Sequence, residues 1–542
     1  MAREVLLLCL SHAFTKFGSK GWEFATPLLL LRFSPDGSLL APTVFGLTVF
    51  VFKFLFGPAA GRWMDQTERM RVIYTGLALQ AAGVLSALIV LWLLSIFADL
   101  ADHDPGPALW VLLGAMVACG TMEALGALIS SVAVKKDWVP TIWAPTDSTL
   151  NWVNTTMGRI DLVAEIVGPL AAGGALQYCG DTGGFVAVGL ANVATFYAEL
   201  LLLRAVFVSN APLAAPKPPP PPAAAGKLGE LVAAWPIFLS HPSGIPFLVL
   251  SYALLYFNVL SPHGVVLTAY LQTRQLEPPV LAAFRAAGAA AGVAGMWAFE
   301  IFASRLGMRR LASLHLWLLA LAVGAATASF AATVDVDGLT PAMGAFLGLV
   351  VLSRFGLYGF DLAVLQLQQV HVDELHRNSI GAVESSLCSL GTAVLFVATL
   401  ATSSSDAAGF DVLVYASAGF VTLAALVYTA WLVCYHEHEH AHPLFEQPGA
   451  DGEYVLFHST TPIPGAQHRH TSQQQRSLED SGDERTHIHL HFHPPFFSNA
   501  FHHLLGHSHG HSHSHGHSHS HGHGHSRSHG DPHEPLRPPP AP

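Results

Sequence analysis

Asp161 stands inside residues 148–170, a stretch that otherwise reads as a membrane-spanning helix. Arg159 and Glu165 lie in the same stretch. A charge at bilayer depth costs roughly 2.5–3.5 kcal/mol on insertion scales, so it faces a partner or a watery cavity. A carboxylate placed there can bind a cation and release it on the other side. The alternative is a structural ion pair between Arg159 and a carboxylate. Three further polar groups fall in apolar stretches: His12, Asn192 and His263. Imidazole titrates near neutral pH and ligates metals, and an amide oxygen is a hard donor.

These groups need a bilayer-spanning frame, and the composition provides it. Of 542 residues, 51% are hydrophobic and only 12% are charged, with mean hydropathy +0.42. A soluble domain carries about 25% charged residues. The formal charge of −11 is spread over loops and tails and does not point to nucleic acid. Five cysteines (Cys9, Cys119, Cys179, Cys388, Cys434) form no CxxC pair, which speaks against a disulfide framework or a zinc cluster. The first apolar run begins at once, with no transit peptide or cleavage pattern, so the first helix is expected to be retained.

Runs of about 20 apolar residues can cross a bilayer, and roughly twelve are legible here. Six lie in residues 1–208 and six in 244–435, giving an all-α membrane protein in two six-helix halves. Residues 209–243 form the connection, with a stiff, solvated polyproline stretch at 215–225. Its end, Leu228–Leu239, is amphipathic and expected to lie along the membrane surface. Basic residues such as Arg62, Arg69, Arg71, Lys135, Lys136 and Arg309 fall on one set of connections. Acids such as Asp99, Asp102, Asp181 and Asp406 fall on the other. The positive-inside rule then puts both termini in the cytosol.

Between the second and third spans, Gly61, Asp65 and Arg69 follow one another at intervals of four, as GxxxDxxxR. Glycine lets two helices approach closely, and the aspartate can cap a helix or pair with the arginine across a gate. The plainer reading is a pair of solvated loop charges. A degenerate echo, Ser304–Arg310, occupies the equivalent loop of the second half. Six plus six spans with this loop imply the major-facilitator-type fold. Its substrates bind near the midplane between halves that rock.

Several segments together resemble the ferroportin family (solute carrier family 40), in a plant- or algal-like form. They are Gly18-Ser19-Lys20-Gly21-Trp22-Glu23-Phe24, the Gly61–Arg71 loop, Lys136-Asp137-Trp138, Asn154 with Arg159-Ile160-Asp161, Asn192 with Glu199, and Phe360-Asp361-Leu362 with Gln366 and Gln369. The resemblance covers about residues 5–435 and implies export of Fe²⁺ from the cytosol, with cobalt, nickel or other divalent ions as further substrates. It implies Asp161 as first metal ligand. His12 would be a ligand or a proton-coupling group, and Asn192 a carbonyl donor. It implies Asp65, Arg69, Arg159 and Asp137 as gating residues.

The sequence also departs from the animal pattern. Ser19 stands where animal members place a metal-binding aspartate, and Glu23, one turn on, is a candidate substitute or a helix-contact residue. In the seventh span Asn258 and His263 flank Pro262, and Gly264 follows. His263 and Gly264 replace the animal Asp-Cys pair, and Ala424 and Ala425 stand where the last span would offer a histidine. The animal-type second site is therefore absent. A site built from His263 and Asn258, or a structural hydrogen bond, takes its place.

Residues 436–542 change character. His436, His438 and His440 leave the last helix, and a His-Ser/His-Gly repeat including His507, His509 and His511 follows. Such composition builds no core and is expected to be disordered. Its imidazoles can capture divalent metal, or form a neutral repeat. The competing functions are a Co²⁺, Ni²⁺ or Zn²⁺ exporter, a facilitator for an organic solute or metal chelate, and a non-transporting membrane metal sensor. No nucleotide loop or nucleophile motif points to an enzyme. No cofactor is expected beyond the transported ion. The expected partners are the lipid bilayer and divalent metal, with no nucleic acid and a monomeric chain. The expected location is a multi-pass protein of the plasma membrane, with a vacuolar or plastid membrane as the alternative.

Overall fold

The computed structural model describes residues 2–32, 40–100, 107–143, 148–217, 229, 232–333, 338–403, 408–435, 445–448 and 454–457. The first half comprises α1 (Ala2–Arg32), α2 (Leu40–Asp65), α3 (Arg69–Leu100), α4 (Pro107–Val132), α5 (Thr149–Gly180) and α6 (Thr182–Ser209). The second comprises α7 (Ile245–Leu254), α8 (Val265–Thr273), α9 (Pro278–Leu306), α10 (Met308–Phe330), α11 (Pro341–His371), α12 (Arg377–Ser403) and α13 (Ala408–Cys434). Ten helices among the described residues are long and apolar enough to cross a membrane. Helix α1 also has the length, but Lys16, Lys20 and Glu23 interrupt its apolar run. Helices α7 and α8 are the two pieces of the broken seventh span, separated around Pro262.

Large apolar side chains remain exposed along these helices, among them Trp92, Val111, Leu170 and Leu321. In a lipid-facing bundle that surface meets hydrocarbon rather than water. Two buried apolar clusters lie beneath it. One runs through residues 5–213 with Ala382, the other through 234–431 with Leu162. The two cross-members show that each half lends a side chain to the other's packing.

Three local features position the polar groups. Helix α4 runs on through a π-helical turn, Ala133–Trp138, before a final α turn, Val139–Ile142. A π turn holds an extra residue and is common at functional sites. Here it fans out three consecutive charges, Lys135, Lys136 and Asp137. Gly61 meets α12 so closely that a Cβ would lie 2.6 Å from the Ala382 Cβ and 2.7 Å from the Asn378 carbonyl oxygen. The glycine of the GxxxDxxxR loop thus admits a helix of the other half. At Gly180, φ is 70°, a left-handed value that glycine adopts without strain, and the chain turns there from α5 into α6.

The polyproline stretch lies almost wholly outside the described residues. Of the amphipathic segment, Ala234–Leu239 is helical. It is docked on protein rather than merely laid on a surface. Ala234 and Phe238 are buried, and Trp235 meets Phe54 edge-on at 6.1 Å. In the tail, β1 (Phe445–Pro448) and β2 (Tyr454–Phe457) form an antiparallel ladder pairing Phe445 with Phe457, where no structure was expected. The histidines His436, His438, His440, His507, His509 and His511 fall outside the described residues.

Candidate functional site: a carboxylate beneath an inter-half latch

The two halves are latched at the α2–α3 loop. Asp65, at the end of α2, accepts from the backbone N–H of Asn378 at 3.1 Å and of Ser379 at 2.9 Å. It also accepts from Asn378 Nδ2 at 3.0 Å and from the Ser379 hydroxyl. These are first-turn donors of α12, so a carboxylate of the first half caps a helix of the second. The expected Asp65–Arg69 alternatives resolve here: Asp65 caps, and Arg69 pairs elsewhere. Arg69 donates through Nε to Asp137 at 3.1 Å, to the Ala215 carbonyl at 3.2 Å, and to Glu374 of the second half. Asp137, 1% exposed, also holds Lys217 at 3.0 Å and receives Asn378 Nδ2 at 3.4 Å. These charges are buried, not solvated. Beside them, in the connection between α11 and α12, His376 bonds Asp373 at 2.8 Å, and that hydrogen bond raises the imidazole's pKa.

An amide layer continues inward. Lys136 donates to Gln368 and pairs with Glu384, each at 2.9 Å. Asn154 donates to Gln369 at 2.6 Å, Gln366 to Asn151 at 2.6 Å, and Gln369 to the Lys135 carbonyl at 2.7 Å. Every one of these bonds except His376–Asp373, Asp137–Lys217 and Arg69's bonds to Asp137 and Ala215 joins one half to the other.

Charge-assisted capping is stronger than its neutral counterpart. Asp65→Ala is therefore expected to loosen the start of α12. Loss of an N-cap costs about 1 kcal/mol, and about twice that for a charged acceptor serving several donors. Amide hydrogen exchange at Asn378 and Ser379 should speed up roughly thirtyfold. Unchanged protection there would remove Asp65 from the latch.

Asp161 sits on α5 next to the amide layer. Its Oδ1 meets His12 Nε2 at 2.8 Å and Lys16 Nζ at 3.8 Å, and its Oδ2 meets Lys135 Nζ at 2.7 Å. Asp161 therefore pairs with lysines, and the ion pair expected of Arg159 is made with a different carboxylate. Arg159 pairs with Glu300 on α9 and lies 5.3 Å over the Trp297 ring, an inter-half contact separate from the Asp65–Asp137 cluster. The Asp161 side chain is 29% exposed and Lys135 22%, so the pocket is hydrated rather than sealed.

The remaining candidates do not gather around Asp161. Asn192 on α6 is fully buried, with neither amide atom hydrogen-bonded, and it points at Gly18, where a Cβ would come within 2.6 Å of its Oδ1. Glu199, also buried, has one carboxylate oxygen without a partner. Such orphaned oxygens are the kind a cation satisfies. Ser19 is buried, whereas the Glu23 side chain is 58% exposed and pairs with Lys20, so the two do not share one environment. Lys20 also holds Glu165 at 2.7 Å.

At the broken span, Asn258 Oδ1 accepts from the Leu260 N–H at 2.9 Å, and the oxygen keeps a second lone pair. Two arginines take nearby carbonyls: Arg354 that of Leu260 at 2.7 Å, Arg285 that of His263 at 3.2 Å. His263 Nε2 has no partner. Among the described residues, no three of His, Cys, Asp and Glu converge as a ready metal cluster. In the sequence Lys135 counts only toward loop charge, and nothing singles out Lys16, Lys217 or Glu374. Lys16 carries a visible signal, an ammonium one turn before Lys20 in the middle of a spanning helix.

The Ferroportin1 family model matches residues 2–218 and 224–421. The Ferreportin of Bdellovibrio bacteriovorus is 31% identical over 439 residues, which is 78% of this chain and 93% of that protein. A bacterial homologue of the iron transporter ferroportin, crystallised outward-facing, superposes with TM-score 0.70 at 30% identity, covering 79% of this chain and 99% of that one. The inward-facing structure of a bacterial homologue gives 0.57 at 30% identity, covering 80% and 99%. The major-facilitator transporter FucP, outward, gives 0.55 at 12% identity over 79% and 98%, a likeness of fold alone. The latched arrangement described above is thus nearer the outward-facing relative than the inward-facing one.

Proposed function

This chain belongs to the ferroportin family, a multi-pass membrane transporter of major-facilitator-type fold rather than an enzyme, and from that premise we propose that it exports a divalent metal, Fe²⁺ first, from the cytosol by alternating access. The observation that carries the reading is Asp161: an intramembrane carboxylate in a hydrated pocket, held by side chains on flexible stems rather than sealed in a core. Such a site can exchange its partners for a metal ion. Ferrous iron accepts carboxylate and imidazole, which Asp161 and His12 offer together. The positive charge of the α2–α3 connection supports a cytosolic position for the latch. With the latch shut the path to the cytosol is closed, and opening it would admit the ion. The likeness to a bacterial homologue of the iron transporter ferroportin supports iron as substrate. The plasma membrane is the proposed location, and the histidine repeat is a proposed collector of metal at the cytosolic mouth.

Proteoliposome flux tests this reading. Purified full-length protein is expected to move Fe²⁺ and Co²⁺ saturably, above empty vesicles, when Fe²⁺, Co²⁺, Ni²⁺, Zn²⁺ and Mn²⁺ are compared at two pH values. Absence of flux for all five overturns it.

A further inference from the structure

One oxygen of Asp161 is held by Lys135 at 2.7 Å, and the other is shared by His12 at 2.8 Å and Lys16 at 3.8 Å. Lys135 belongs to the same π turn that ties the halves together. Its own carbonyl accepts from Gln369, Lys136 reaches Glu384, and Asp137 receives Asn378. One six-residue turn thus carries an ammonium on the site carboxylate and several of the bonds that shut the latch. Resting on the export reading, we propose that Lys135 is a tethered stand-in for the transported cation. Its ammonium neutralises Asp161 while the latch is shut and the site is empty, and it is displaced when the latch opens and metal enters.

The physics favours mutual exclusion. A carboxylate at bilayer depth without a counter-charge is costly, so an empty carrier that changes state needs one. A divalent ion and an ammonium on one carboxylate repel each other, so the loaded carrier sheds the lysine. The two translocating forms, loaded and empty, then both keep Asp161 neutralised. Lys16, at 3.8 Å on α1, lies further off and outside the turn that reports the latch.

Lys135→Met tests this in the full-length protein with Co²⁺ as probe. A coupling of the usual size between sites changes affinity roughly 5- to 150-fold. Co²⁺ is expected to bind about tenfold more tightly to Lys135→Met, within that range. Co²⁺-for-Co²⁺ exchange across proteoliposomes is expected to persist, because the loaded form needs no lysine. Net efflux, which requires the empty form to return, is expected to fall about tenfold. Unchanged or weaker binding overturns the proposal, as does an equal fall in exchange and net efflux. Should Lys135→Met fail to fold, the charge-balanced pair Asp161→Asn with Lys135→Met decides. Its Co²⁺ affinity should exceed that of Asp161→Asn alone, because the ammonium that repels the ion is gone, and equal or weaker binding by the pair would place the action of Lys135 elsewhere. Wild-type flux with no effect of Lys135 sinks this proposal only; wild-type protein that moves none of the five metals sinks the export reading and this proposal with it.

Discussion

Asp161→Asn is expected to lose nearly all divalent-metal flux at sub-saturating metal. The substitution keeps the side chain's shape and removes its charge, while Lys135 and Lys16 stay in place within 4 Å of the changed group. The pocket turns from balanced to cationic. One unit charge at 4 Å is worth about 4 kcal/mol at an effective dielectric of 20. Halving that for hydration still leaves about 2 kcal/mol, or roughly a thirtyfold loss of affinity. Stability should fall as well, because two ammonium groups lose their shared acid. Thermal unfolding of the detergent-purified variant measures that part, and flux per folded molecule measures the other. Wild-type flux from Asp161→Asn would show that the carboxylate is structural and that the metal passes elsewhere.

The frame was legible in the sequence for a simple reason. Apolar runs of spanning length and the break at Pro262 are one-dimensional signals, and they place helices without any knowledge of neighbours. The glycine at Gly61 was legible too, since close helix approach is what a four-residue glycine motif most often does. Partner choice was not legible. Asp65 and Arg69 are one helical turn apart in sequence, which invites pairing, yet α2 ends at Asp65 and the chain turns before α3 begins. The carboxylate then points at the start of α12, and the guanidinium at Asp137 and Glu374. Arg159 and Asp161 are likewise two residues apart and so lie on different faces of α5, where they meet Glu300 and Lys135. The π turn at Ala133–Trp138 leaves no pattern in composition, and it decides where three charges go. Asn258, a candidate ligand in the sequence, also serves its own turn, as asparagine beside a helix break commonly does.

The largest conformational effect is expected from Asp137→Asn. Asp137 is 1% exposed and receives Arg69 and Lys217, which are themselves nearly buried. Removing one member of a buried charge group costs about 3–5 kcal/mol, because the partners remain without compensation. Here Lys217 loses its carboxylate and Arg69 is left with that of Glu374 alone, in the state where the halves meet. In an opened latch both can reach water, so the penalty falls mainly on the closed state. A shift of this size moves a two-state balance by more than a hundredfold. Arg69→Ala should shift it less, since Lys217 still serves Asp137. The double variant should fall short of the sum of its parts, as coupled neighbours do. Spin labels on Glu68→Cys and Asp373→Cys, with the five native cysteines replaced, report the separation of the two loops. A longer-distance population is expected to dominate in Asp137→Asn and to be minor in wild type. A well-folded Asp137→Asn with the wild-type distance distribution would mean that the buried charges stabilise the first half alone and that the amide layer of Asn154, Gln366 and Gln369 holds the latch shut.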